Sequence, residues 1–373
     1  MGASLACALR HPSLALVGQQ APADLAAGAL DARVYALSPG NVSFLREVGA
    51  WSRVPEERVC AVHAMRVFGD DGRSELAFDA YRAGVPELAW IVEDSVLQRA
   101  LWAEVEALAA VQRFVPAQCG SLELGEREAR LVLKDGRALS ASLVVGADGA
   151  QSFVRESAGI RAGVHDYHQA AVVANFACER PHEQVAFQWF RDGAVLALLP
   201  LPGKRVSMVW SVPSGEAERL CALPSEALAG EVTAASREIL GALSPLTGAR
   251  SYRLQRLSAE RLVGRRVALL GDAAHVVHPL AGQGLNLGLQ DARSLAATLA
   301  AREPFRNPGE ERMLRRYERE RAEPILSMQV MVDGLFRLFG APGGAAARLR
   351  NAGLNLTDRL PVIKNVLMRQ AMR

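Results

Sequence analysis

At 373 residues, the chain is long enough for two domains and a sizeable core. Half of its residues are hydrophobic, 22% are charged and the formal net charge is only +3, a globular composition with no nucleic-acid footprint. No apolar run approaches the roughly 18 residues that cross a bilayer, and no basic region followed by an apolar core marks a secretory signal at the N-terminus.

Cys7, Cys60, Cys119, Cys178 and Cys221 are odd in number, widely spaced and free of C-x-x-C pairs, which points to reduced thiols in a cytoplasmic setting. Charge is uneven along the chain. Residues 341–373 carry Arg348, Arg350, Arg359, Lys364, Arg369 and Arg373 against Asp358 alone. Such a tail suits an acidic partner or the anionic inner-membrane surface, and equally a solvated terminal helix.

In chain order, residues 2–10 have helical composition and residues 14–17 read as a short buried strand. After a loop rich in Ala, Gly and Asp, residues 33–37 read as a second strand and 39–51 as a helix ending at Gly49. Residues 62–68 and 74–79 alternate around a Gly-Asp-Asp-Gly turn, a hairpin signal. Apolar positions recur at helical spacing over 93–110, and two strands follow around Glu126-Arg127. Residues 170–177, 184–190, 194–200 and 205–212 are β-rich runs between turns, predicting a mostly antiparallel sheet. Residues 225–243 look helical, as does the Arg/Glu-rich stretch 310–323.

The most informative stretch runs from Arg266 to Asp291. Val267 to Leu270 is a buried strand, Gly271-Asp272 a sharp turn, and Pro279, Gly282, Gln283, Gly284, Leu285 and Asn286 a Gly-rich loop that opens into a helix at about Gly284. A carboxylate thus stands at the carboxyl end of a strand, where open α/β sheets bind ligands. The amides of a helix N-terminus face the same place. An acid for a ribose hydroxyl beside a positive helix end suits a flavin nucleotide. A second constellation, Val144 to Arg155, runs from a strand into Asp148-Gly149, with Ser152 and Arg155 on the next turn. Alone it is a strand end with a helix cap; paired with the first it becomes specific. His165-x-x-His168 and His275-x-x-His278 lack accompanying Cys or acidic ligands, so no metal site is read. No Ser-His-Asp arrangement has a nucleophile-elbow context.

Together the two constellations resemble the class A flavoprotein monooxygenases of the para-hydroxybenzoate hydroxylase fold. The chain is similar, more narrowly, to the UbiH/UbiF-type hydroxylases of ubiquinone biosynthesis. Asp31-Ala-Arg33, residues 45–51, residues 92–98, Val173-Ala-Asn175, residues 186–190, residues 197–201 and Val209-Trp-Ser211 carry that match. The resemblance implies an α/β fold: a Rossmann-like FAD-binding domain, a mostly antiparallel β-sheet substrate domain and C-terminal helices. The FAD-binding parts are expected at 1–61, 93–165 and 263–340, a substrate-domain hairpin at 62–92, the β-rich substrate domain at 166–262 and a basic helical tail at 341–373.

Carried over residue by residue, Gly271 and Asp272 would hold FAD hydroxyls. Gly282, Gly284, Leu285 and Asn286 would face the electron-rich edge of the ring and stabilise reduced flavin. Arg33 and Gln98 match FAD contacts, and Asp148, Gly149 and Arg155 match a fingerprint linked to both FAD and NAD(P)H. His275, Pro279 and Gln283 are expected nearest the flavin ring, with no side chain assigned as catalytic acid or base. Gly2 falls on the last glycine of the family's G-x-G-x-x-G turn. The first strand and its other glycines are missing, and Gly18 and Gln19 stand where an acid is expected. Loss of that central strand should expose two neighbouring strand edges and weaken FAD binding at its pyrophosphate end.

The implied reaction is hydroxylation of a prenylated phenol or benzoquinol, bound between the FAD domain and the 170–215 sheet. NAD(P)H reduces FAD, O2 adds at flavin C4a, and the distal oxygen of the hydroperoxide attacks the ring; the cofactor carries the hard chemistry. Two alternatives stand beside it: a reductase or dehydrogenase of isoprenoid double bonds on the same fold, and a flavin-poor scaffold subunit of a biosynthetic complex. Gln188-Trp-Phe190 and Leu198-Leu-Pro-Leu201 favour the hydroxylase.

Overall fold

The computed structural model describes residues 1–11, 13–23, 28–69, 74–191, 193–278 and 283–340. Pro279, Gly282 and the basic tail 341–373 lie outside them. The half expected to bind the cofactor is built from short sheets and helices. Strand Ala15–Val17 runs parallel to Gln112–Phe114, and Val144–Gly146 runs parallel to Val267–Leu269, which also pairs with Val263–Gly264. Among the described residues, Ala15–Val17 and Val144–Gly146 each lie at a sheet edge, so the two parallel pairs stay separate. Gly2 sits between them: a Cβ there would lie 3.5 Å from Leu16 Cδ1 and 3.6 Å from Ala147 Cβ. The helix Gly2–Leu9 starts at this gap and buries Leu5, Ala6 and Cys7 in a core shared with helices Asp94–Ala107 and Gly284–Ala300.

The second half is a nine-stranded sheet. Its order is His275–Val276, Arg250–Ala259, Ala162–Cys178, Arg205–Pro213, Ala194–Leu201, Val185–Arg191, Ala64–Phe68 and Glu75–Asp79, with Leu243–Pro245 also on Ala162–Cys178. All pairings are antiparallel except Val185–Arg191 with Ala64–Phe68, where the hairpin from the first third of the chain is added. Side chains alternate between faces along each strand. Phe176, Phe187, Trp189, Leu198 and Met208 pack under helices Ser214–Ala222 and Ser225–Ala235. From the other face, Val67, Phe190 and Val195 meet Val277, Leu287, Met328 and Val332. That face therefore rests on the motif segment, the motif helix and the long helix Glu311–Gly340.

Most expected elements are found with shifted ends. The helix expected over 225–243 stops at Ala235. Arg237, Glu238 and Gly241 take positive φ and turn the chain so that Leu243 reaches the sheet opposite Cys178. Tertiary pairing wins there over local helical composition. The helix read over 39–51 likewise ends at Glu47, with a separate 3-10 turn at Trp51–Arg53.

Candidate active site

Val267, Ala268, Leu269 and Leu270 are wholly buried and deliver the chain to Gly271, whose φ of +59° lies in the left-handed region that suits glycine. The turn that follows is held from several sides. The Gly271 amide donates to Asp291 Oδ2 at 3.0 Å, and the Tyr317 hydroxyl donates to the Leu269 carbonyl at 2.8 Å. Arg155 Nη1 donates to the Ala273 carbonyl at 2.9 Å. Of residues 271–275 only Asp272 is exposed, and its carboxylate has no hydrogen-bond partner among the described residues.

The second constellation is a support for this turn. Ser152 caps the short helix Phe153–Ser157, its hydroxyl accepting from the Arg155 amide at 3.0 Å, and Asp148 supports that cap by accepting from the Ser152 hydroxyl and from the Val154 amide at 3.1 Å. Gly149, at φ +84°, bends the chain between them. Arg155 is buried and also donates to the Ala150 carbonyl at 2.8 Å. It joins the two fingerprints rather than projecting to solvent.

Arg33 and Gln98 converge on one carboxylate. Gln98 Nε2 donates to Asp94 Oδ1 at 2.6 Å, and Arg33 Nη1 lies 3.8 Å from Asp94 Oδ2. The Arg33 guanidinium lies 5.3 Å from the ring centres of both Tyr35 and Tyr252, a cation held between two aromatic faces. Burial pushes the Tyr35 phenol upward, against the pull of Arg33, so it stays neutral. Asp272 is close enough to act electrostatically on Arg33, Tyr35 and the Met1 ammonium.

Helix Gly284–Ala300 begins with Gln283 at its N-cap, makes no side-chain cap and has no acid in its first turn. Among the described residues no side chain caps its first amides. Leu285 is half-buried at this end. Asn286 is buried and committed to the scaffold: its Nδ2 donates to the Ala36 carbonyl at 2.8 Å, and its Oδ1 accepts from the Ser38 amide and Asn41 Nδ2, both at 2.9 Å. His275 is buried too, with Nε2 2.6 Å from Asp291 Oδ2. No cluster of three metal-ligating side chains exists among the described residues.

An open carboxylate at a strand end, an uncapped helix N-terminus and a fixed cation fit the hydroxyls, electron-rich ring and phosphates of a flavin nucleotide. Asp94, Asp291, Arg321 and Tyr317 were not singled out as site residues from sequence. Asp291 was detectable: it lies four residues after Leu287 and four before Leu295, on the buried face of the motif helix.

This geometry is that of an α/β protein with a site suited to a flavin nucleotide. A family model described as an FAD binding domain matches residues 26–330. The chain is 36% identical to the ubiquinone hydroxylase UbiL of Rhodospirillum rubrum, with 100% of this chain and 87% of the relative covered. It is 33% identical to the 3-demethoxyubiquinol 3-hydroxylase of Escherichia coli over 92% of this chain and 87% of that one. Among solved structures, PqsL of Pseudomonas aeruginosa, titled a probable FAD-dependent monooxygenase, superposes with a TM-score of 0.78 at 24% identity, covering 94% of this chain and 95% of that one. HpxO of Klebsiella pneumoniae, complexed with FAD and uric acid, gives 0.76 at 18% identity, covering 100% and 94%. The chain belongs to this family of FAD-dependent monooxygenases, and FAD is its cofactor.

Proposed function

We propose that the protein hydroxylates the aromatic ring of a prenylated phenol or benzoquinol intermediate in ubiquinone biosynthesis, with O2 and NAD(P)H as co-substrates. The observation that carries this reading is the contact of the antiparallel sheet with the motif region, where Val67, Phe190 and Val195 pack on Val277 and Leu287 and so bring the sheet against the half that carries the Gly271–Asp272 turn.

Bound FAD, once reduced, supplies the activation of O2. The protein's own groups bind and orient. Asp272 accepts hydrogen bonds from cofactor hydroxyls, and the Gly284 end of the motif helix favours electron density at the ring edge. Arg33, between Tyr35 and Tyr252, contributes a fixed positive charge.

The test is consumption of labelled O2 by the FAD-loaded protein with NADPH and a prenylated phenol. One labelled oxygen atom in the product is expected. A product with a reduced isoprenoid double bond and no label would instead establish the reductase reading. No helix of the described residues is long and apolar enough to cross a membrane. A lipophilic substrate is best met at a membrane surface or in a biosynthetic complex, and the basic segment 348–373 is the proposed contact. Unchanged binding to anionic liposomes after its deletion would refute the membrane contact.

A further inference from the structure

Asp291 is fully buried, yet it receives groups from three separate elements. Its Oδ2 accepts the Gly271 amide at 3.0 Å and lies 2.6 Å from His275 Nε2. Its Oδ1 accepts Arg321 Nε at 2.7 Å from the long helix Glu311–Gly340. Arg321 is itself buried and is oriented further by the Leu287 carbonyl at 3.3 Å and Gln290 Oε1 at 3.2 Å. Burial alone would push the Asp291 carboxyl up, but His275, Arg321 and the Gly271 amide together hold it below the usual range.

The consequence falls on Asp272. The chain is pinned at the Gly271 amide by Asp291, at the Ala273 carbonyl by Arg155 and at the His275 ring again by Asp291. Asp272 is the one exposed side chain between those pins. An unpinned Gly271 could take several backbone conformations and turn Asp272 elsewhere.

We propose that Asp291, held by Arg321, is a positioning residue that sets the direction of the Asp272 carboxylate toward FAD. The proposal rests on the reading that Asp272 binds the cofactor's hydroxyls. It adds that the long C-terminal helix, through Arg321, takes part in holding the cofactor.

The test is a double-mutant cycle on FAD affinity, read by flavin fluorescence quenching on titrating apoprotein, with the apoprotein's thermal midpoint measured alongside. Asp272→Asn and Asp291→Asn are each expected to weaken FAD tenfold or more. Together they should weaken it little beyond the stronger single effect, because a mis-aimed Asp272 has nothing further to lose. Multiplying effects would overturn the proposal, since Asp291 would then act independently of Asp272. An Asp291→Asn protein with a lowered midpoint and unchanged FAD affinity would overturn it as well.

Should Asp291→Asn fail to fold, the cycle runs with Arg321→Lys, which keeps the charge and loses the guanidinium geometry. The same non-additivity with Asp272→Asn is expected, and its absence overturns the proposal. If Asp272→Asn alone leaves FAD affinity unchanged, the underlying reading of Asp272 fails and the proposal fails with it. An Asp272 effect without coupling removes only the role of Asp291.

Discussion

Arg155 Nη1 reaches the carbonyl of Ala273, 118 residues further along the chain, at 2.9 Å. The two sequence fingerprints of the proposed cofactor site are thus a single hydrogen-bonded assembly. The strand end at Asp148–Gly149 and the strand end at Gly271–Asp272 lie side by side because Val144–Gly146 and Val267–Leu269 pair in parallel. Arg155 then ties the turns that leave them.

Arg155→Met should therefore act mainly on stability. It leaves the buried Ala273 carbonyl and the half-buried Ala150 carbonyl without their donor, at a cost of about 1–3 kcal/mol. Urea unfolding of the apoprotein measures this. A variant as stable as the parent would show that Arg155 does not carry the junction.

Asp272→Asn should behave in the opposite way. The side chain is exposed and unpartnered among the described residues, so apoprotein stability should stay within about 0.5 kcal/mol of the parent. FAD affinity should fall roughly 10- to 100-fold, the worth of one or two charge-assisted hydrogen bonds. Equilibrium titration with FAD decides; an unchanged dissociation constant contradicts the site.

Asn286→Ala separates scaffold from cofactor contact. The Ala36 carbonyl, Ser38 amide and Asn41 amide group all lose a partner, predicting a loss of about 2–4 kcal/mol in the apoprotein. If the apoprotein is unaffected and only FAD binding weakens, Asn286 is instead a direct cofactor contact.

His278 predicts a pH dependence. Burial lowers its pKa to about 4 from the ordinary 6.5, against the opposing effect of Asp333, and the Tyr167 ring packs edge-on at 4.8 Å. Below pH 6.5 the unfolded chain takes up a proton that the folded protein refuses until about pH 4. Stability should thus fall as pH drops through that window, by roughly 1.4 kcal/mol at pH 5.5, and should be flat above pH 7. Unfolding curves at pH 7 and 5.5 for the parent and for His278→Leu provide the check. The leucine variant should lose this component of the slope, and equal slopes would assign the dependence to other groups.

By itself, the sequence determined the class of the protein. Glycine, carboxylate and helix-opening residues stand at a local spacing that any strand–turn–helix unit must respect, so Gly271, Asp272 and Gly284 are readable within one stretch of chain. The alternating runs between 170 and 212 likewise announce an antiparallel sheet, because alternation is a property of the strand alone. Only the tertiary structure decided which polar residues are free to meet a ligand. Asp148, Arg155, Asn286 and the Nε2 of His275 belong to the same motifs as Asp272, yet they engage partners from elsewhere in the fold or support its turns. The role of Arg321, 30 residues beyond Asp291, was equally invisible, since an Arg/Glu-rich helix reads as a solvated surface until one of its arginines is found buried against a carboxylate. Hydrogen-bond satisfaction of buried groups is settled by neighbours in space, and local sequence does not contain them.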